Sequence, residues 1–75
     1  MVNIEVPMHS VESSNVDKIG YEQDVETLHV VFKGGSHYIY KEVPEKVYEE
    51  LKAAESQGKF LNSNIKGVYE YERVG

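Results

Sequence analysis

Two alternating apolar runs that meet at a glycine pair constrain this chain more than any other feature. Leu28, Val30 and Phe32 alternate with His29, Val31 and Lys33, the period-two pattern of a half-buried strand rich in β-branched residues. Gly34-Gly35 follows, and His37 to Val43 supplies a returning strand. A two-residue hairpin loop needs φ > 0 at both central positions, which glycine provides without steric cost. Counted with that even loop, Phe32 faces His37 and His29 faces Tyr40. Tyr38 and Tyr40 then share a face with Val31 and His29, opposite Leu28, Val30, Phe32 and Ile39, and the two histidines fall on opposite faces. An odd bulge in the loop instead swaps both tyrosines into the core.

The remaining elements follow from local signals. Asn15 to Glu22 reads as a strand with Val16 and Ile19 apolar and Gly20 as a bulge or close-approach point. Glu22 to Thr27 is a polar turn. Pro44 suits the first turn of a helix, where its missing N–H costs nothing, and Val47, Leu51 and Ala54 form one apolar stripe. Gly58 is a natural stop. A second short helix covers Lys59 to Lys66, with Phe60, Leu61 and Ile65 as its apolar contacts. Val68 to Val74 alternates again as a last strand. The expected order is β-β-β-α-α-β, a small antiparallel sheet with a helix packed on one face, an α+β domain. Residues 1–9 form an N-terminal extension or edge strand, from the alternation of Val2, Ile4 and Val6 before Pro7. Residues 10–75 form the domain.

Size and charge narrow the functional classes. Seventy-five residues without cysteine make one domain with no disulfide or thiolate zinc to support it. A core this small supplies about 3–5 kcal/mol at best, so homo-oligomerisation is an open expectation. No apolar run approaches the roughly 20 residues of a membrane span, and no leader pattern opens the sequence; the expected location is the cytoplasm. The net charge of −5 opposes extended duplex DNA, whose binding rests on clustered Lys and Arg. A small anion held by a few local cations is compatible with it.

Several segments carry a family likeness. Ser13-Ser14-Asn15, Ile19-Gly20-Tyr21, Leu28 to Phe32, Tyr38-Ile39-Tyr40, Val43-Pro44 and Val47-Tyr48 together resemble the KTSC domain, as do Ala54 to Phe60, Ile65-Lys66 and Tyr69 to Arg73. The likeness runs from about Ser10 to Val74, and the Tyr-x-Tyr and Ser-x-Gly-x-Phe segments are its most specific parts. The family takes its name from a domain at the C-terminus of some lysyl-tRNA synthetases and also occurs as short stand-alone proteins of bacteria and phages. The resemblance implies a suggested link to RNA and supplies no catalytic residues. Leu61 stands where the family usually has a second aromatic.

The residues themselves offer no catalytic constellation. His9, His29 and His37 do not converge under the even-loop register, so no metal site or cofactor is expected. Ser13 and Ser14, followed by Asn15 and Asp17, read as turn chemistry rather than as a nucleophile with its base. The six tyrosines are more informative. Tyr21 and Tyr48 read as core. Tyr69, Tyr71 and Arg73 share one face of the last strand and, with Tyr38 and Tyr40, could stack on and neutralise a nucleotide. They serve equally well as a dimer surface. Ser56 to Lys66 has cations and no acids, which makes Ser56, Lys59, Phe60, Asn62 and Lys66 candidates for an anion at a helix start, with simple helix capping as the plainer alternative. The expected function is non-catalytic binding of a nucleotide-like anion or an RNA end. Two alternatives stand beside it: a phage-encoded protein that sequesters a nucleotide immune signal, and a protein-interaction or oligomerisation domain.

Overall fold

In the computed structural model, which describes residues 7–11 and 13–75, Val16 and Ile19 are both fully buried although they stand three positions apart on one strand. Side chains alternate along a strand, so an odd spacing can serve one face only where the ladder carries an extra residue. It does so here: Val16 pairs with Phe32 while Lys18 pairs with Val31, leaving a bulge between them. The irregularity expected at Gly20 therefore sits earlier, at Asp17. Gly20 itself is buried in regular register between Met8 and His29.

Five antiparallel strands lie in sequence order: β1 (Met8–Ser10), β2 (Val16–Glu22), β3 (Thr27–Phe32), β4 (His37–Tyr40) and β5 (Tyr71–Arg73). The edge strand β1 follows Pro7, so the proline bounds it instead of interrupting it; Val2, Ile4 and Val6 lie outside the described residues. The last strand is shorter than the alternation from Val68 to Val74 implies, because Val68 and Tyr69 complete the turn that leaves the helices, their N–H groups donating to the Ile65 carbonyl.

The β3–β4 loop has three residues, not two. Phe32 N–H donates to the Ser36 carbonyl at 2.8 Å and Gly35 N–H to the Phe32 carbonyl at 2.9 Å, which closes a turn over Lys33-Gly34-Gly35. Gly35 sits at φ +93°, the left-handed residue that completes a three-residue hairpin. Partners become Val31 with His37, Val30 with Tyr38, His29 with Ile39 and Leu28 with Tyr40. The even-loop register is overturned by one residue, and every side chain of β4 changes face.

Helix α1 (Glu45–Ala53) begins after Pro44, whose carbonyl accepts from Val47 and Tyr48. Helix α2 (Gln57–Phe60) runs directly into a π-helical turn, Leu61–Ile65. Both lie on one face of the sheet. Leu51, Leu61, Ile65 and Tyr48 pack there against Val16, Ile19, Leu28, Val30, Tyr40 and Val43. Tyr21 stacks on Tyr48 at 4.9 Å between centroids, and its hydroxyl donates to the Val43 carbonyl. Burial, then Glu26 and Glu45, raise its pKa, so it remains a donor.

Gly58 does not stop α1, which ends at Ala54 in an extended conformation. It lies inside the first turn of α2, where a Cβ would come within 2.5 Å of Asn15 Oδ1 and 3.3 Å of Ser13 Oγ. The helix thus abuts the turn that precedes β2. Among the described residues no helix is long and apolar enough to cross a membrane.

Two glycine substitutions test these assignments by urea unfolding. Gly35→Ala should cost about 1–2 kcal/mol, the usual left-handed penalty, because its Cβ meets nothing within 4 Å; Gly34→Ala should stay within about 0.5 kcal/mol. Gly58→Ala should cost about 1 kcal/mol net, as overpacking of roughly 1–3 kcal/mol exceeds the gain in helix propensity of about 1 kcal/mol.

Candidate functional site

The three-residue loop turns Tyr38 and Tyr40 toward the helices, the outcome an odd bulge implies. Across the next ladder Tyr38 pairs with Arg73 and Tyr40 with Tyr71, so three tyrosines gather at one end of the helix-covered face. Tyr71 lies 5.7 Å from Tyr38 and 6.0 Å from Tyr40 between ring centroids, inclined by 36° and 40°. Phe32 meets Tyr38 edge-on at 5.6 Å, the arrangement favoured by the ring quadrupole. Burial is graded across the group: Tyr40 is 2% exposed, Tyr38 is half-buried and Tyr71 is 62% exposed. Tyr40 is a core residue with one edge on the surface, and its removal would open a cavity.

These rings form one wall of a cleft of about 500 Å³, within the usual range for small-molecule sites. Asn15, Ser36, Lys66 and Gly67 complete its lining. Lys66 Nζ lies 5.3 Å from the Phe32 ring centroid, close enough for a cation–π contact. Gly67 turns the chain after the π-helical segment at φ +80° and leaves the floor without a side chain. Asn15 is held by its neighbours. Its Oδ1 accepts from Ser13 Oγ at 3.1 Å, and its carbonyl accepts from Lys33 N–H at 2.9 Å. Its amide N–H groups have no protein acceptor among the described residues. Burial chiefly, then Tyr38 and Tyr71, raise the Tyr40 pKa, so the phenol stays neutral and able to donate.

The expected site residues divide. Tyr38, Tyr40, Lys66 and Tyr71 converge on the cleft. Arg73 shares the face and pairs with Tyr38, but its Nε donates to the Gly75 carbonyl at 3.1 Å and it does not line the cleft. Tyr69 precedes β5 and packs half-buried on the core, beside a shallower depression with Lys41 and Glu70. It does not share a strand face with Tyr71 and Arg73.

The Ser56–Lys66 segment behaves mostly as helix structure. Ser56 Oγ accepts from Lys59 N–H at 3.3 Å as an N-cap, Phe60 packs half-buried against the core, and Lys59 and Asn62 point into solvent away from the cleft. Only Lys66, beyond the helical segment, belongs to the site. Asn15, Phe32, Ser36 and Gly67 were not evident from the sequence, since they reach the cleft from turns and from the bulged end of β2 and β3. The only signal for them was the odd Val16–Ile19 spacing, which brings that end of the sheet inward.

The histidines also depart from expectation. His29 and His37 lie on the same face, opposite the helices, with His29 Nδ1 3.0 Å from His37 Nε2. His29 Nε2 lies 2.6 Å from Glu22 Oε1. Among the described residues no three or more His, Cys, Asp or Glu side chains are placed to hold a metal. Ser13 is engaged in its turn, with Oγ accepting from Val16 N–H at 3.3 Å.

The sequence matches the KTSC domain over residues 12–73. A protein of Tsukamurella paurometabola is 44% identical over 59 residues, covering 79% of this chain and 88% of its own length. A lysine–tRNA ligase of Nostoc punctiforme is 38% identical over 71 residues, 95% of this chain but only 13% of the ligase. The crystal structure of a KTSC domain protein from Yersinia pestis superposes with a TM-score of 0.88 at 32% identity, over 95% of this chain and all of that one. With the domain matched over residues 12–73 and the backbone superposing along most of its length, this chain belongs to the KTSC domain family.

Proposed function

We propose that this domain binds one nucleotide-type unit, free or at the end of an RNA, in the aromatic cleft, and performs no chemistry on it. The observation that carries this is the convergence of Tyr38, Tyr40 and Tyr71 with Lys66 on one cleft of about 500 Å³. A base stacked on an aromatic ring gains about 1–3 kcal/mol. Tyr71 presents the most exposed ring for that contact, with Tyr38 and Tyr40 behind it. Asn15 and Ser36 offer polar groups to a base edge, and Lys66 offers a charge to one phosphate. The occurrence of the same domain within a lysine–tRNA ligase supports an RNA end as one source of that unit.

Charge sets the size of the ligand. Among the described residues Lys66 is the only cationic side chain lining the cleft, and the chain carries −5 overall. A continuous polyanion would meet net repulsion beyond the first phosphate. Stacking, not phosphate neutralisation, therefore supplies most of the affinity.

Calorimetric titration with adenosine, AMP and a short single-stranded RNA tests this. AMP and the RNA should bind, with a log–log salt slope no steeper than about −1, the value expected for one neutralised phosphate. Tyr71→Ala should weaken both at least tenfold, about 1.4 kcal/mol, while leaving the melting temperature nearly unchanged because the ring is exposed. Lys66→Ala should weaken AMP and spare adenosine. Absence of saturable binding by all three ligands, or unchanged affinity in Tyr71→Ala, would overturn the proposal. A change in sedimentation mass in place of binding would make the tyrosine face an interface between copies.

A further inference from the structure

We infer that Glu22, His29 and His37 form a proton-sharing latch that holds the C-terminal strand on β4 at neutral pH and releases it in acid. The latch occupies the sheet face opposite the cleft. Glu22 accepts from His29 Nε2–H at 2.6 Å, which fixes the tautomer of a neutral His29 and leaves Nδ1 with a lone pair. That lone pair accepts from His37 Nε2–H at 3.0 Å. All three groups are satisfied with no excess proton.

One added proton is accommodated. His29 then donates from both nitrogens, and His37 shifts its own hydrogen to Nδ1 and accepts at Nε2. A second proton is not accommodated, because two N–H groups would face each other across the same 3.0 Å gap in a half-buried site. In the unfolded chain both rings take up protons near pH 6.5. In the fold, burial first and His29 second lower the pKa of His37. The folded state thus binds fewer protons below that pH, so stability is present above it and is lost as pH falls below it.

Charged groups of both signs surround the latch. By register, Lys18 and Glu22 of β2 and Glu72 of β5, opposite Ile39, share the face; β1 adds Met8 and Ser10, which do not titrate, and Lys41 follows β4 directly.

His37 is also the backbone anchor of the C-terminal strand. Its N–H donates to the Gly75 carbonyl at 3.2 Å, and its carbonyl accepts from Val74 N–H at 2.8 Å and Gly75 N–H at 3.2 Å. Its chain neighbours Ser36 and Tyr38 line the cleft on the opposite face, and β5 supplies Tyr71. Expulsion of the doubly charged pair would loosen this edge. The consequence for ligand affinity rests on the proposed cleft; the latch itself does not.

Amide hydrogen exchange of Val74 and Gly75 by NMR, corrected for intrinsic rates, is the test. Between pH 7.5 and 5.0 their protection should fall about tenfold. In His37→Gln it should be independent of pH, since the amide nitrogen can still donate to His29 Nδ1 and takes up no proton. His29→Gln should likewise flatten the profile. Constant protection in the wild-type chain, or the same acid loss in both glutamine variants, would overturn the latch. AMP binding that weakens in acid while exchange stays constant would also overturn it, and failure of AMP to bind at any pH would bear on the cleft alone.

Discussion

The left-handed backbone at Gly35 decides more of this molecule than any single side chain. A loop of two residues and a loop of three both suit the sequence Lys33-Gly34-Gly35-Ser36, but they place β4 in opposite registers. With three, Tyr38 and Tyr40 turn toward the helices while His37 and Ile39 face away. The apolar content of β3 is indifferent, since Leu28 and Val30 are buried in either case. What differs is the partner they receive: Tyr40 opposite Leu28 fills the core, where the two-residue loop would set Lys41 opposite Leu28 and bring a charge to the buried face. The core and the loop therefore agree. The cleft on one face and the histidine pair on the other both follow from that agreement.

The parts of the fold written in periodicity were legible. Leu28 to Phe32 announces a strand by alternation, and the stripe through Val47 and Leu51 announces a helix. Tyr21 and Tyr48 pack at the core as their composition suggested. Parity was not legible, because one residue of loop length leaves no trace in propensity and inverts a whole face. The same limit hid Asn15, Phe32 and Ser36, which meet only once the β2 bulge and the odd loop are both in place. Gly58 was misleading for another reason. A glycine after a helical stripe suggests a stop, yet this one serves close approach of a second helix to Asn15. The spacing of Val16 and Ile19 was the overlooked clue, since two buried residues three apart on a strand require a bulge.

The two faces of the sheet divide the chemistry. The helix-covered face gathers tyrosine rings, and burial raises the pKa of Tyr40 among them, so the cleft offers flat apolar surface and a phenol that donates. The opposite face gathers Glu22, His29 and His37 in one hydrogen-bonded chain. β4 carries both sets on alternate residues, Tyr38 and Tyr40 inward and His37 outward, so a titration on one side acts on the same backbone that positions the other. Alternation along a strand is usually an account of burial; here it also separates recognition from response.

The weakness of such a cleft is consistent with where the domain occurs. Two or three stacking contacts and one ion contact, set against the lost freedom of the ligand, amount to modest affinity. A modest site is of most use when its ligand is presented at high local concentration, as it is when the site is tethered to a protein that already holds the larger molecule. This domain accounts for 13% of a lysine–tRNA ligase, and on the proposed function a weak grip on an RNA end would suffice there. Without such tethering, the proposed function calls for an abundant ligand or for copies that act together. The exposed ring of Tyr71 lies on the edge strand β5, where a second copy could add its own rings.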